Sequence, residues 1–89
     1  MRREEVQISN KLGLHARAAA KLVHTANEFT SEIHVGTDAE EVNAKSILGL
    51  LTLAATRGTP VMLRAEGADE DAAIEALIKL FEDKFGEGE

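Results

Sequence analysis

The chain has 89 residues, 44% apolar and 29% charged, with a formal net charge of −6: enough for one small core and too apolar for disorder. Net acidity without Trp or Tyr supplies neither the basic footprint nor the stacking platform of a nucleic-acid binder. The absence of Cys excludes disulfides, thiol nucleophiles and thiolate metal sites, and no apolar run reaches the roughly 18 residues of a membrane span.

The opening Met1-Arg2-Arg3-Glu4-Glu5 turns acidic with no apolar secretory stretch behind it, so the cytoplasm is the expected compartment and no membrane insertion is expected. Residues 5–9 alternate, with Val6 and Ile8 on one face, and predict a strand. Residues 10–13 read as a turn. A helix follows from Ala16 to about Asn27, where Ala19, Leu22, Val23 and Ala26 recur at helical spacing and Lys21 and His24 fall off the stripe. Residues 32–35 alternate again through Ile33 and Val35. After the turn-like Gly36-Thr37-Asp38 a weaker strand lies around residues 41–43. Ser46 is a good cap for a short helix running to about Leu53 or Ala55. Pro60 ends a turn, and residues 61–66 form the last strand with Val61, Leu63 and Ala65 inward. From about Glu70 to Phe85 the stripe Ile74, Leu77, Ile78, Phe81, Phe85 predicts a second long helix, with Asp69 as its N-cap and Glu70 and Asp71 suited to its dipole. Residues 86–89 read as a frayed acidic tail behind a single domain over 1–85.

Each strand keeps one polar face, so the sheet is covered on one side only, the habit of antiparallel sheets. The expected fold is α+β: an open-faced two-layer sandwich, a four-stranded antiparallel sheet with three helices on one face, in the order βαββαβα.

The informative stretch is Ser9-Asn10-Lys11-Leu12-Gly13-Leu14-His15-Ala16-Arg17. It leaves a strand, turns, and enters a helix with His15 at the N-cap, where His is not a preferred residue. A lone His before a helix is ordinarily surface decoration, and His24 and His34 are read that way. At this position, however, the backbone N–H groups of Ala16, Arg17 and Ala18 lack helical partners and point at whatever lies beyond the end. With the dipole they welcome an anion, and the same field disfavours imidazolium, leaving a neutral ring with a lone pair for phosphorus. Arg17, off the apolar stripe, adds a planar fork suited to phosphate oxygens. Phosphoryl transfer needs mainly positioning and charge neutralisation, and these groups provide both. Three dispersed His without acidic neighbours at ligand spacing give no metal site, and nothing calls for a bound cofactor.

Residues Asn10 to Arg17 resemble the active-site signature of the HPr family, the histidine-containing phosphocarriers of the bacterial phosphoenolpyruvate-dependent phosphotransferase system. The resemblance continues through Val42-Asn43-Ala44-Lys45-Ser46-Ile47-Leu48-Gly49 and the 65–70 junction. It implies that phosphorylated enzyme I phosphorylates His15 on the ring nitrogen nearer the backbone, and that the group then passes to an enzyme IIA domain, of the sugar-uptake or the nitrogen-related branch. It implies a stoichiometric carrier rather than an enzyme, and a monomer is expected. The family commonly has proline where this chain has Ala18; alanine restores an N–H and remains a good helix former.

Ile47, Leu48, Leu50, Leu51 and Leu53 are too many apolar residues for one face of a two-turn helix. Leu50 and Leu53 suit the core, which leaves Ile47, Leu48 and Leu51 as a candidate docking patch; the alternative is a helix buried more fully. The resemblance places this helix beside His15 and makes it a surface for enzyme I. Ser46 by itself reads as an N-cap; in related phosphocarriers the matching serine is phosphorylated by HPr kinase/phosphorylase. A regulatory module of the same fold, acting by docking without transfer, is the other function such a chain could have.

Overall fold

In the computed structural model, residues 1–53 and 55–88 are described. The strands are β1 (Arg2–Gln7), β2 (Glu32–Gly36), β3 (Glu41–Asn43) and β4 (Pro60–Glu66), and the helices are α1 (Ala16–Ala26), α2 (Ile47–Leu53) and α3 (Glu70–Glu82), followed by a short 3-10 turn, Lys84–Gly86. The strands form one antiparallel sheet in the order β1-β4-β2-β3, with Val6 opposite Val61, Ile33 opposite Ala65 and Val35 opposite Val42. The open-faced α+β sandwich expected from the alternation is the fold observed. Ile33, Val35, Val61, Leu63 and Ala65 face the helices, which return Leu22, Leu50, Ile74, Leu77 and Phe81, all buried.

Strand β1 begins earlier than apolar alternation indicates. Its helix-facing positions 2 and 4 are charged, and Arg2 reaches over to Glu4, Asp71 and Glu75. Long stems with ionic tips do there what Val6 does further on. Pro60 opens β4 opposite Gln7, the strand position where a missing N–H is tolerated.

The C-terminal helix differs at both ends. Asp69 occupies the N-cap position but makes no capping bond. Its carboxylate instead accepts from the N–H groups of Thr30 and Ser31, each at 2.9 Å, and from the Ser31 hydroxyl at 2.5 Å. These bonds, the Ser31 hydroxyl foremost, hold its pKa down to about 2. Helix α3 ends at Glu82, so Phe85 is not on its stripe. Lys84 and Phe85 lie in the left-handed region, with φ of 54° and 55°. That bend swings Phe85 back into the core, 4.9 Å from Phe81 edge to face. Burying the ring offsets a backbone conformation that costs roughly 1–3 kcal/mol per residue. Gly86 continues the turn at φ 76°, and the tail runs back toward the start of α1. Helix α2 ends at Leu53; Ala54, in its expected reach, lies outside the described residues, and Ala55 is not helical.

Candidate functional site

The turn from β1 into α1 is built so that one histidine stands at the helix start. Asn10 is fully buried, and its Nδ2 donates to the Gly13 carbonyl at 2.7 Å. Gly13 has φ 68°, and a Cβ there would sit 2.6 Å from the Ala55 carbonyl oxygen, so only glycine fits. Leu14 is buried and its N–H donates to that same carbonyl at 2.9 Å. Thus the loop is clamped to the segment after α2 immediately before the residue that matters.

His15 is the N-cap of α1 by backbone: φ −85°, ψ −178°, its carbonyl accepting from the Ala19 N–H at 2.8 Å. Its ring makes no capping bond. Its side chain is 27% exposed, so the ring stands at the surface rather than in the core. Nε2 contacts the Glu87 carboxylate; among the described residues Nδ1 has no hydrogen-bond partner. Burial pushes the Glu87 carboxyl up, but hydrogen bonds from Asn10 and His15, with the charges of His15 and Arg17, hold it net below the usual range.

Among the described residues, the N–H groups of Ala16, Arg17 and Ala18 donate to no protein acceptor. Ala16 and Arg17 are exposed, but Ala18 is wholly buried. Of the three N–H groups read from sequence as a phosphate cradle, that of Ala18 therefore lies beneath the surface, because its position faces the core as well as the helix end. The Arg17 guanidinium makes no ion pair among the described residues. It lines a shallow groove of about 380 Å³ with Lys11, Leu12, Gly86 and Glu87. Lys11 and Arg17 thus bring two cations to the groove that Glu87, the ring contact of His15, also lines.

Helix α2 packs on α1. Ser46 Oγ accepts from the Gly49 N–H at 3.1 Å, so it caps this helix. Leu50 and Leu53 are buried, while Ile47, Leu48 and Leu51 are 44%, 73% and 39% exposed. His24 is exposed; His34 is half-buried on the outer sheet face, away from α1. Among the described residues no group of three or more His, Cys, Asp or Glu could hold a metal ion, and no helix is long and apolar enough to cross a membrane.

Sequence reasoning missed Glu87. It read residues 86–89 as frayed, yet the Glu87 side chain is only 9% exposed and its Oε1 accepts from Asn10 Nδ2 at 2.9 Å. The available signal was Phe85 followed by Gly86: a large apolar residue with a flexible hinge behind it ties a tail down.

The class is thus a small open-faced α+β sandwich with one histidine at the surface at a helix start, beside Arg17 and Glu87. The family described as "PTS HPr component phosphorylation site" matches residues 2–83, and the chain belongs to this HPr family. It is 51% identical over 87 residues to the phosphocarrier protein HPr of Xylella fastidiosa, covering 98% of each chain. Among solved structures it is similar to HPr of Thermoanaerobacter tengcongensis, with TM-score 0.94, 52% identity and 98% of both chains covered. It is also similar to Crh of Bacillus subtilis, a catabolite repression protein solved as a dimer with a swapped domain: TM-score 0.75, 44% identity, 94% of this chain and 97% of that one.

Proposed function

We propose that this chain is a phosphocarrier of the phosphotransferase system that accepts a phosphoryl group on His15 from phosphorylated enzyme I and hands it to an enzyme IIA domain. The observation that carries the reading is the placement of the ring. His15 stands half-buried at the surface at the start of α1, beside N–H groups of Ala16 and Arg17 that have no acceptor among the described residues. An arriving phosphoryl group finds donors, a helix dipole and the Arg17 guanidinium at once. In this reading the chemistry belongs to the partner enzymes and the chain acts as a stoichiometric carrier, in the cytoplasm and as a monomer.

The exposed Ile47, Leu48 and Leu51 are the surface on which those partners dock. Ser46 is a regulatory position. A phosphate there adds about −1.5 to −2 charges. It suits the start of α2 but disturbs the docking surface, so HPr kinase/phosphorylase acting on Ser46 weakens transfer without unfolding the chain. Likeness to Crh supports a second reading, a docking module that regulates by binding.

Incubation with enzyme I and labelled phosphoenolpyruvate separates the two. The phosphocarrier takes an acid-labile, base-stable label that His15→Ala abolishes with the fold intact. Arg17→Glu, which removes hydrogen bonds to a charged group, slows labelling by roughly ten- to a hundredfold. Absence of label on the wild type leaves the docking reading, and unchanged rates in the Arg17 variant remove that residue from the site.

A further inference from the structure

The phosphocarrier reading makes no use of Glu87, yet the fold goes to some length to deliver it. Phe85 is sunk in the core against Phe81, and the left-handed bend at Lys84 and Phe85 turns the chain back over α1. Lys21 Nζ donates to the Phe85 carbonyl at 2.5 Å, pinning the turn to α1. Buried Asn10 divides the donors of its Nδ2 between the Gly13 carbonyl, which shapes the His15 loop, and Glu87 Oε1. The other carboxylate oxygen then lies on His15 Nε2. One amide therefore sets the position of the histidine and of its carboxylate partner together.

We propose that Glu87 is a positioning residue that selects Nδ1 of His15 as the nitrogen that takes the phosphoryl group. The inference rests on His15 being the acceptor. An ionised carboxylate only accepts hydrogen bonds, so the proton in the contact belongs to Nε2, and the lone pair of the neutral ring is at Nδ1. Nε2 is closed twice over, by its proton and by the carboxylate lying on it. Nδ1 has no protein partner among the described residues and is the nitrogen nearer the backbone.

In the transfer, the Nδ1 lone pair forms the new N–P bond as the donor's bond to phosphorus breaks and its electron pair leaves with the donor atom. Nε2 keeps its proton, and the positive charge the ring acquires lies against Glu87. Passing the group on breaks the Nδ1–P bond and returns the pair to Nδ1. No proton has to move at the ring in either direction.

The test uses phosphoramidate, a small N–P donor that needs no enzyme, on the full chain with ¹⁵N-labelled histidine. It releases ammonia as its own N–P bond breaks. Correlation of ³¹P and ¹⁵N at the assigned His15 ring reports which nitrogen carries phosphorus. The wild type is expected to be labelled at Nδ1. In Glu87→Ala the share of label at Nε2 rises by roughly tenfold, the factor that one hydrogen bond to a charged group is worth. Label confined to Nδ1 in Glu87→Ala overturns the proposal, as does wild-type label at Nε2. A purely structural role for the tail alters the total label without altering which nitrogen bears it. A wild type labelled at Nδ1 by phosphoramidate but refused by enzyme I leaves the selection of nitrogen standing and removes the phosphocarrier reading.

Discussion

Asp69 shows how a residue can hold the right position for a reason other than the expected one. It precedes α3 as a cap residue would, but its carboxylate serves the loop between α1 and β2. Sequence shows the helix start; it does not show that Thr30 and Ser31 come within reach of it. The same bonds set a pH dependence. The folded pKa of about 2 lies below the ordinary 3.8, so the ionised form is the one the fold favours. The stabilisation is complete above roughly pH 4 and is lost as pH falls from there through about 2. Thermal unfolding between pH 5 and pH 2 is expected to show a smaller loss of Tm in Asp69→Asn than in the wild type; parallel curves would contradict the assignment. Ala18 offers a second test. Its N–H is buried and donates to no acceptor among the described residues, and its position is in the first turn of α1. Proline removes that donor and loses nothing. Ala18→Pro is expected to raise stability by up to about 1 kcal/mol in urea denaturation. A loss of more than about 1 kcal/mol would show that the N–H has a partner after all.

At the scale of elements, the Ser46 cap placed the short helix, and apolar period located the four strands and the two long helices among the described residues, because each buries one face against the other layer. It erred where something other than an apolar stripe decides the outcome. Charged Arg2 and Glu4 lengthen β1 at its start. Phe85 matched the helical stripe, yet it reaches the core through a left-handed turn, which periodicity cannot represent. Helix α2 is where counting succeeded: five large apolar residues could not all be buried, and Ile47, Leu48 and Leu51 are exposed. Leu48, the most open of them, separates docking from folding. Leu48→Glu is expected to leave stability within about 0.5 kcal/mol of the wild type. It should weaken productive encounter with enzyme I by roughly tenfold, the cost of losing a well-packed interface anchor. Unchanged transfer kinetics would place the docking surface elsewhere.

Across the whole molecule, the design brings chain segments far apart in sequence to one histidine. The turn after β1 supplies His15 and Asn10, the start of α1 supplies Arg17 and N–H groups with no acceptor among the described residues, the segment after α2 clamps Gly13 and Leu14, and the C-terminal turn supplies Glu87. The first two are contiguous in sequence, which is why sequence alone singles out His15 and Arg17 as candidates. The clamp and the carboxylate are contacts across 41 residues or more of chain, and no local pattern encodes them. The helices occupy one sheet face, and the His15 ring stands at the surface at the start of α1. Such a site suits a group handed from protein to protein, since both donor and acceptor can reach the same ring.

The most direct measurement is a pulse and chase. The chain is loaded with labelled phosphoenolpyruvate and enzyme I, freed of both, and mixed with purified enzyme IIA domains. The account predicts that label leaves His15 and appears on an enzyme IIA domain in equal amount, with none released to His15→Ala carried through the same steps. Label that stays on the chain in the presence of enzyme IIA domains from both branches, or that is lost only as free phosphate, would contradict it.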